Sequence, residues 1–172
     1  MAVRALVLGR FQPFHMGHKA LVKEALGRGA TVVVAIGSST AKSGLRNPFT
    51  AAERRQMVEA VFPNEVRSGA VVVAEVPDLH DPLRYVAHAL AITGPVDVVY
   101  GNDDETGDLF ERAGLRVETP GLVERARFEA KTIRAQIAAD DLTWRKAVPP
   151  AVADLLLKMD AAKRLRSLEA YA

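Results

Sequence analysis

Short apolar runs rich in valine alternate with amphipathic stretches along most of this chain. The runs read RALVLG at 4–9, TVVVAIG at 31–37, AVVVAEV at 70–76, VDVVYG at 96–101 and, more weakly, LRVETP at 115–120. Most are continuously apolar, which is typical of strands buried on both faces of a sheet. Because helical patterns separate them, we predict an α/β fold with a doubly wound parallel sheet. Such sheets bind ligands at the carboxyl ends of their strands.

Helical periodicity marks the stretches between these runs and the C-terminal part of the chain. The sequence TAAE at 50–53 has the pattern of a capping box, which predicts a helix start. A short helix is predicted at about 105–113, and another after the Pro-Pro pair at 149–150. The predicted buried faces are Leu21, Val22, Ala25 and Leu26 in the first helix, Met57, Val58 and Val61 in the second, Leu83, Val86, Ala87, Leu90 and Ala91 in the third, and Val152, Leu155, Leu156 and Met159 in the last.

Composition narrows the classes of protein and site. The 172 residues suit one domain, and a hydrophobic content of 49% favours a folded chain. The absence of cysteine excludes disulfides, thiolate zinc sites and a cysteine nucleophile. No apolar run approaches the roughly 20 residues of a membrane span, and the N-terminus reads as a strand rather than a signal peptide. We therefore expect a cytoplasmic protein.

The charge distribution favours a small anionic ligand over a nucleic acid. The net charge is +2 and the pI is about 9.0, with lysine and arginine spread along the chain. A nucleic-acid binder usually concentrates its positive charge in one patch. The densest basic stretch, KMDAAKRLRSL at 158–168, is interpreted as the solvated face of an amphipathic helix.

The segment VLGRFQPFHMGH at 7–18 joins the first predicted strand to the first helix. Gly9 permits a sharp turn, and the helix start carries free N–H groups and a partial positive charge. Arg10, His15 and His18 add donors around that helix start. We predict a cradle for a triphosphate, in which phosphate charge favours the protonated form of both imidazoles.

Two other interpretations of the histidine pair stay open at this point. A His-x-x-His pair can bind a metal ion, with His80, His88 or an aspartate as third ligand. Both histidines could also be structural residues. Neither a P-loop nor the G-x-G-x-x-G fingerprint occurs in the chain, so a phosphate site here must be built differently.

The stretch GRFQPFHMGH at 9–18 resembles the H-x-G-H signature of the nucleotidyltransferase superfamily, and its full form is similar to the archaeal-type nicotinamide-nucleotide adenylyltransferases. Similar blocks follow in order, and together they cover about residues 3–140. The resemblance implies a Rossmann-like nucleotidyltransferase fold in a single domain at 1–172, with a catalytic core at 1–140 and C-terminal helices at 141–172. The further blocks are GLRNPFTAAERRQMV at 44–58, PDLHDPLRYVAHAL at 77–90, VYGND at 99–103 and RFEAKTIRAQI at 127–137.

By this resemblance, His15 and His18 contact the ATP phosphates and stabilise charge as pyrophosphate leaves. Arg10, Arg46 and Arg134 bind phosphate, although Arg46 and Arg134 taken alone also fit ordinary surface positions. The residues implied to bind ATP are Gly9, Arg10, Phe11, His15, Gly17, His18, Gly101, Asn102, Lys131, Thr132, Ile133 and Arg134.

The loop and first turns of the third helix are implied to hold the acceptor nucleotide. Tyr85 stands where the family usually has tryptophan, and Asp81 stands near a usual asparagine; tyrosine can still stack on a ring. Taken alone, Tyr85 and His88 also fit a surface helix, and the Gly-Asn pair at 101–102 fits a plain turn. The residues implied to bind the acceptor are Phe14, Arg46, Asp78, Leu79, Asp81 and Tyr85.

The block FEAKTIR at 128–134 departs from the family pattern, which is close to Ile-Ser-Ser-Thr-x-Ile-Arg. Lys131 takes the place of a hydroxyl residue and can still donate to phosphate. Glu129 replaces a serine, and its charge would repel a triphosphate unless the side chain turns away.

The function implied is transfer of AMP from ATP to nicotinamide mononucleotide, giving NAD and pyrophosphate by direct in-line attack. Mg²⁺ is expected to bind through substrate phosphates and water, with no metal site in the protein. The resemblance also implies a homo-oligomer, with a hexamer as one form, and no nucleic-acid or membrane partner. Other acceptors stay open, namely nicotinate mononucleotide, flavin mononucleotide and phosphopantetheine, as do a non-catalytic adenine-nucleotide sensor and a metal hydrolase.

Overall fold

The computed structural model describes residues 3–101, 104–121 and 129–170. Within these residues five parallel strands form one sheet in the order β3-β2-β1-β4-β5, which confirms the predicted fold class. The strands are β1 (Arg4–Gly9), β2 (Thr31–Ile36), β3 (Val71–Glu75), β4 (Val98–Tyr100) and β5 (Arg116–Glu118).

Helices follow the strands as the sequence predicts. The capping box of α2 is formed: Thr50 Oγ1 accepts from the Glu53 N–H at 3.1 Å, and Glu53 Oε1 accepts from the Thr50 N–H at 2.9 Å. Among the described helices, none combines the length and apolar character needed to cross a membrane. The helices are α1 (Met16–Gly27), α2 (Ala51–Val61), α3 (Pro63–Ser68), α4 (Pro82–Thr93), α5 (Asp104–Arg112), α6 (Ala130–Ala138), a 3₁₀ helix (Leu142–Lys146), α7 (Pro150–Lys158) and α8 (Ala161–Ala170).

The sheet is buried on both faces, which explains its continuously apolar strands. Along β1, Ala5 and Val7 belong to one hydrophobic cluster and Leu6 belongs to the other. The first cluster also contains Leu156 and Leu165, so the C-terminal helices complete that core. Helices α4 and α5 cover the opposite face.

The strand order opens a crevice beside β1. The chain proceeds from β1 to β2 and β3 on one side, then returns to place β4 and β5 on the other side. Loops that leave β1 and β4 therefore diverge at the carboxyl edge, and this divergence is where doubly wound sheets bind ligands. The Gly37 N–H donates to the Gly9 carbonyl at 2.8 Å, which keeps β1 and β2 paired up to that edge.

The buried face of α4 differs from the predicted one. Leu83 is 96% exposed, and Ala87 is exposed as well, whereas Val86, Ala89 and Thr93 are buried. Apolar residues lie on both rows of this helix, so the row containing Leu83 and Ala87 could not be separated from the true core row by its residue types. A threonine on the buried row also carries no apolar signal.

This corrected face gives a stability test. Leu83→Gln should change the free energy of unfolding by less than about 0.5 kcal/mol, as surface substitutions usually do. Val86→Ala should cost about 1.5 kcal/mol, because it removes two buried methyl groups. Urea denaturation of both variants measures the difference, and equal losses would contradict the assignment of the faces.

Candidate active site

A cavity of about 600 Å³ lies at the carboxyl edge of the sheet. The ends of β1, β2 and β4 and the loop after β3 form its floor, while the first turns of α1 and α4 form two walls. Several predicted site residues from distant parts of the chain meet here. They are Gly9, Arg10, His15, Gly17, His18, Asp78, Leu79, Tyr85 and Gly101.

His15 and His18 cap the start of α1 through their ring nitrogens. His15 Nδ1 accepts from the N–H groups of Gly17 at 3.1 Å and His18 at 3.4 Å. His18 Nδ1 accepts in return from the His15 N–H at 3.1 Å. The Met16 N–H donates to the Ala147 carbonyl at 2.9 Å. Since these amides all have partners within the protein, the expectation that free helix amides would bind the anion is wrong.

The capping bonds determine which ring nitrogen carries the proton. An Nδ1 atom that accepts from a backbone N–H is unprotonated, so the neutral His15 and His18 rings carry their proton on Nε2. The rings are stacked with centroids 3.6 Å apart, and both line the cavity. Each imidazole therefore receives a backbone hydrogen bond on one nitrogen and offers a donor on the other.

Burial keeps both rings neutral. It lowers the pKa of His15 from 6.5 to about 3. Burial, together with the charge of His15, lowers the pKa of His18 well below its ordinary value. The predicted protonation depends on the charge of a bound phosphate, whereas burial in the protein itself favours the neutral form of both rings. The donor capacity of the pair comes from its tautomer and needs no positive charge.

Phe11 and Phe14 lie in the core and do not line the cavity. Their rings therefore do not take the positions expected for contact with ATP or the acceptor. They are 1% and 0% exposed. The Phe11 ring packs edge-on against His18 with centroids 4.7 Å apart, and Phe14 lies 5.4 Å from the same ring. A Cβ atom at Gly9 would come within 2.8 Å of the Phe11 ring, so this turn requires glycine. These rings therefore hold His18 in place.

Three predicted phosphate-binding arginines converge beside the histidines. Arg134 Nη1 donates to the Gln12 carbonyl at 2.8 Å, which holds α6 against the loop after β1. Burial and the positive charges of Arg10 and Arg46 lower the pKa of Arg134. Arg10 lines the cavity, whereas Arg46 is exposed on the neighbouring loop. Cations held this close favour binding of a polyanion, because it relieves their mutual repulsion.

Gln12 is a residue that the sequence analysis missed. Its buried side chain donates to the Phe49 carbonyl at 3.0 Å and accepts from the Phe49 N–H at 2.9 Å. This pair of bonds joins the loop after β1 to the loop that carries Arg46. Gln12 is part of the motif at 9–18, but its role becomes visible only through its hydrogen bonds to the backbone of Phe49.

Arg54 was also missed, and it connects the loop after β1 to the loop after β2. It is 2% exposed, and its guanidinium donates to the carbonyls of Arg10 and Gly37, each at 2.7 Å, and of Ser38 at 3.2 Å. Burial lowers the pKa of Arg54. Its spacing from Met57 places it on the buried row of α2. A charged residue on a buried row needs polar partners, and this pattern in the sequence could have revealed its role.

The end of the cavity that is predicted to hold the acceptor is lined by the carboxylate of Asp78 and the phenol of Tyr85. Asp78 Oδ1 accepts from the Ser38 hydroxyl at 2.8 Å, and Ser38 itself lines the cavity. Burial and the negative charge of Asp78 raise the pKa of Tyr85. His88 bonds to the Pro77 carbonyl at 2.9 Å, so its ring holds the loop before α4. Ser38 lies two residues after the end of β2, at the same edge of the sheet where Gly9 ends β1, and that position was its signal.

The remaining predicted residues do not line the cavity. Asp81 caps α4 by accepting from the Leu83 N–H at 3.1 Å. Ile133 is fully buried, while Lys131 is exposed and Thr132 is half-buried. The predicted Asn102 lies outside the described residues.

Glu129, by contrast, is among the residues that line the cavity. Together with Asp78 it supplies the carboxylates found among the described lining residues. Across residues 3–101, 104–121 and 129–170, no group of three or more histidine, cysteine, aspartate and glutamate side chains could hold a metal ion.

Comparisons with known proteins agree with this geometry. A family model described as cytidylyltransferase-like matches residues 6–110. The nicotinamide-nucleotide adenylyltransferase of Methanolobus tindarius is 34% identical over 96% of this chain and 94% of its own length. The enzyme of the same name from Ignicoccus hospitalis is 36% identical over 96% of this chain and 98% of its own. The chain belongs to the nicotinamide-nucleotide adenylyltransferase family.

Solved structures share the fold of this adenylyltransferase. A bifunctional NMN adenylyltransferase/ADP ribose pyrophosphatase from Francisella tularensis, complexed with AMP and a manganese ion, aligns with a TM-score of 0.78 and 19% identity. The alignment covers 99% of this chain and 54% of that one, so this chain spans about half the length of the bifunctional protein. A Plasmodium falciparum nicotinic acid mononucleotide adenylyltransferase aligns with a TM-score of 0.60 and 9% identity.

The neutral histidine pair should make this adenylyltransferase sensitive to acid. The folded pKa of His15 is about 3 against 6.5 for the free side chain, so the unfolded chain binds more protons between these pH values and stability falls as pH falls. From pH 7 to 5.5, His15 should cost about 1 kcal/mol. His15→Asn keeps a capping oxygen and should remove that loss in urea denaturation. The matched control is His80→Asn at an exposed position, and an unchanged pH slope in His15→Asn would contradict the assignment.

The buried guanidinium gives a second test with an adjacent control. Arg54→Met should lower the free energy of unfolding by about 3 kcal/mol or more, because it leaves buried carbonyls without a donor. Arg55→Met removes only half-exposed ion pairs with Glu59 and Glu75 and should cost less than about 1 kcal/mol. Thermal and urea unfolding compare the two, and similar costs would count against the structural role of Arg54.

Proposed function

We propose that this enzyme transfers AMP from ATP to nicotinamide mononucleotide and releases NAD and pyrophosphate. The observation that carries the proposal is the cavity wall formed by His15, His18 and Arg10, with Arg134 and Arg46 close enough for their charges to interact. Such a wall suits a triphosphate. The names of the archaeal relatives support the same reaction.

The chemistry requires positioning more than proton transfer. An oxygen of the mononucleotide 5′-phosphate attacks the α-phosphorus of ATP, and the bond from that phosphorus to the bridging oxygen breaks. Pyrophosphate leaves with the electron pair. Because the attacking oxygen is already ionised, the reaction needs no general base or covalent enzyme intermediate. The protein holds two anions that repel each other and neutralises the charge that develops on the leaving group.

The residues divide this task by their position. His15 and His18 offer Nε2–H donors from the cavity wall to the pyrophosphate oxygens, which gain charge as the bond breaks. Arg10 and Arg134 add fixed positive charge on the ATP side. We assign Arg46 to the acceptor phosphate, because its loop lies beside Arg134 and outside the cavity floor.

Magnesium fits this donor set. Mg²⁺ binds a few carboxylates and keeps water and phosphate oxygens as its other ligands. Glu129 lines the cavity and caps the helix that carries Arg134, so it is the residue suited to hold the ion on the triphosphate side. When bound, Mg²⁺ would neutralise phosphate charge.

The cytoplasmic location and the homo-oligomeric state stay predictions.

The acceptor end favours a nicotinamide base. Asp78 and Tyr85 line it together, and a nicotinamide ring carries a positive charge that a carboxylate attracts. A nicotinate base carries an added carboxylate, which Asp78 would repel. Flavin mononucleotide and phosphopantetheine bring no positive ring to this position.

An acceptor screen tests the proposal. Pyrophosphate release from ATP and Mg²⁺ is measured with nicotinamide mononucleotide, nicotinate mononucleotide, flavin mononucleotide or phosphopantetheine, and NAD is detected with a coupled dehydrogenase. We expect release and NAD formation with nicotinamide mononucleotide. If ATP binds but none of the four acceptors leads to pyrophosphate release, the protein would instead be a nucleotide sensor.

Two substitutions of His18 separate its two nitrogens. Asparagine can replace the Nδ1 acceptor and lacks the Nε2 donor, so His18→Asn should keep most of the stability and lose about 100-fold in kcat. Glutamine reaches the Nε2 position and abandons the cap, so His18→Gln should lose stability and retain more activity. Steady-state kinetics and thermal unfolding measure both variants. The reverse order of kcat would overturn the assigned role.

A further inference from the structure

The basic C-terminal stretch is not simply a solvated helix face. Within α8, Arg164 and Arg166 both bond to the body of the protein, whereas Lys163 is exposed. Arg166 Nη1 donates to the Ala138 carbonyl and to Asp140 Oδ2, each at 3.1 Å, beyond the end of α6. Arg164 bonds in a different direction, toward the start of α2.

Arg164 makes three contacts with one short segment. Its Nη1 donates to Glu53 Oε1 at 2.7 Å and to the Pro48 carbonyl at 3.2 Å, and its guanidinium carbon lies 5.9 Å from the centre of the Phe49 ring. The ion pair is partly buried, since the side chains of Arg164 and Glu53 are 32% and 20% exposed. Partial burial reduces screening by solvent, so this pair is stronger than an ordinary surface pair.

Glu53 carries this contact into the loop. The same Oε1 atom that accepts from Arg164 also accepts from the Thr50 N–H at 2.9 Å. Burial opposes ionisation of this carboxyl, but the hydrogen bonds from Arg164 and Thr50 outweigh it and the pKa of Glu53 is lowered. The charged carboxylate thus joins α8 to the first turn of α2.

The segment at 48–53, to which Arg164 bonds, begins two residues after Arg46. Its other side is bonded to the site, because Gln12 makes both hydrogen bonds to the Phe49 backbone and the Gln12 carbonyl accepts from Arg134. The loop therefore lies between α8 on one side and the loop after β1 on the other. The position of Arg46 relative to Arg134 therefore depends on both sets of contacts.

We propose that Arg164 is a positioning residue, which holds the loop of Arg46 so that this arginine meets the phosphate of the acceptor. The proposal rests on the proposed function, because it uses the role assigned there to Arg46. Arg164 touches neither substrate and acts through Pro48, Phe49 and Glu53. Its loss should weaken acceptor binding more than it weakens the fold.

The test compares two arginines of the same helix. Arg164→Met keeps the apolar stem over Phe49 and removes the guanidinium bonds. It should raise the KM for nicotinamide mononucleotide roughly tenfold, because the phosphate contact is misplaced. The matched control, Arg166→Met, removes an equal charge and a bond to α6, and should leave that KM within about twofold. Arg164→Lys retains a charged donor to Glu53 and should recover most of the lost affinity, which also covers the case that the methionine variant folds poorly.

A double-mutant cycle with Arg46 separates positioning from a general structural effect. If Arg164 acts through Arg46, then Arg164→Met should leave the KM unchanged in an Arg46→Ala background, since effects through one group are not additive. The same factor in both backgrounds, an unchanged KM in Arg164→Met alone, or an equal rise in Arg166→Met would overturn the proposal. Formation of NAD by the unaltered enzyme tests the proposed function separately, so the two can fail independently.

Discussion

The reciprocal hydrogen bonds between His15 and His18 at the start of α1 are the constraint on which the site depends. They consume the helix amides that would otherwise be available to an anion and replace them with ring N–H donors. Because each imidazole accepts a backbone hydrogen bond on Nδ1, its Nε2–H is polarised and its orientation is fixed. Packing of Phe11 and Phe14 against His18 excludes other ring positions.

Backbone carbonyls hold the surrounding cations in place. Arg54 binds carbonyls of the loops after β1 and β2, and Arg134 binds the carbonyl of Gln12. Arg134 lies close enough to Arg10 and Arg46 for their positive charges to repel one another, and its bond to a neutral backbone carbonyl holds it there. Donors that are fixed before the substrate binds suit the polyanion of the proposed reaction.

The sequence predicts the fold well, because the valine-rich strands, the capping box at Thr50 and Glu53 and the order of elements all follow local rules. It also identifies the part of the cavity wall beside β1, since Gly9, His15 and His18 form one contiguous motif. It misses Arg54 and Gln12, whose partners are backbone atoms of loops far along the chain. The predicted face of α4 is wrong at Leu83 and Ala87, because apolar residues lie on both rows of the helix and periodicity does not single out the buried one. The lowered pKa values of the two histidines depend on burial by residues that motif spacing does not reveal.

The most direct test of how this site is built is a nitrogen-15 NMR measurement of the histidine rings at pH 7. Long-range correlations between ring protons and ring nitrogens distinguish the two neutral tautomers from the imidazolium. The account predicts that His15 and His18 are both neutral and carry their proton on Nε2, with Nδ1 unprotonated. A proton on Nδ1 of either ring, or a charged imidazolium at this pH, would contradict the capping arrangement and the donor role derived from it.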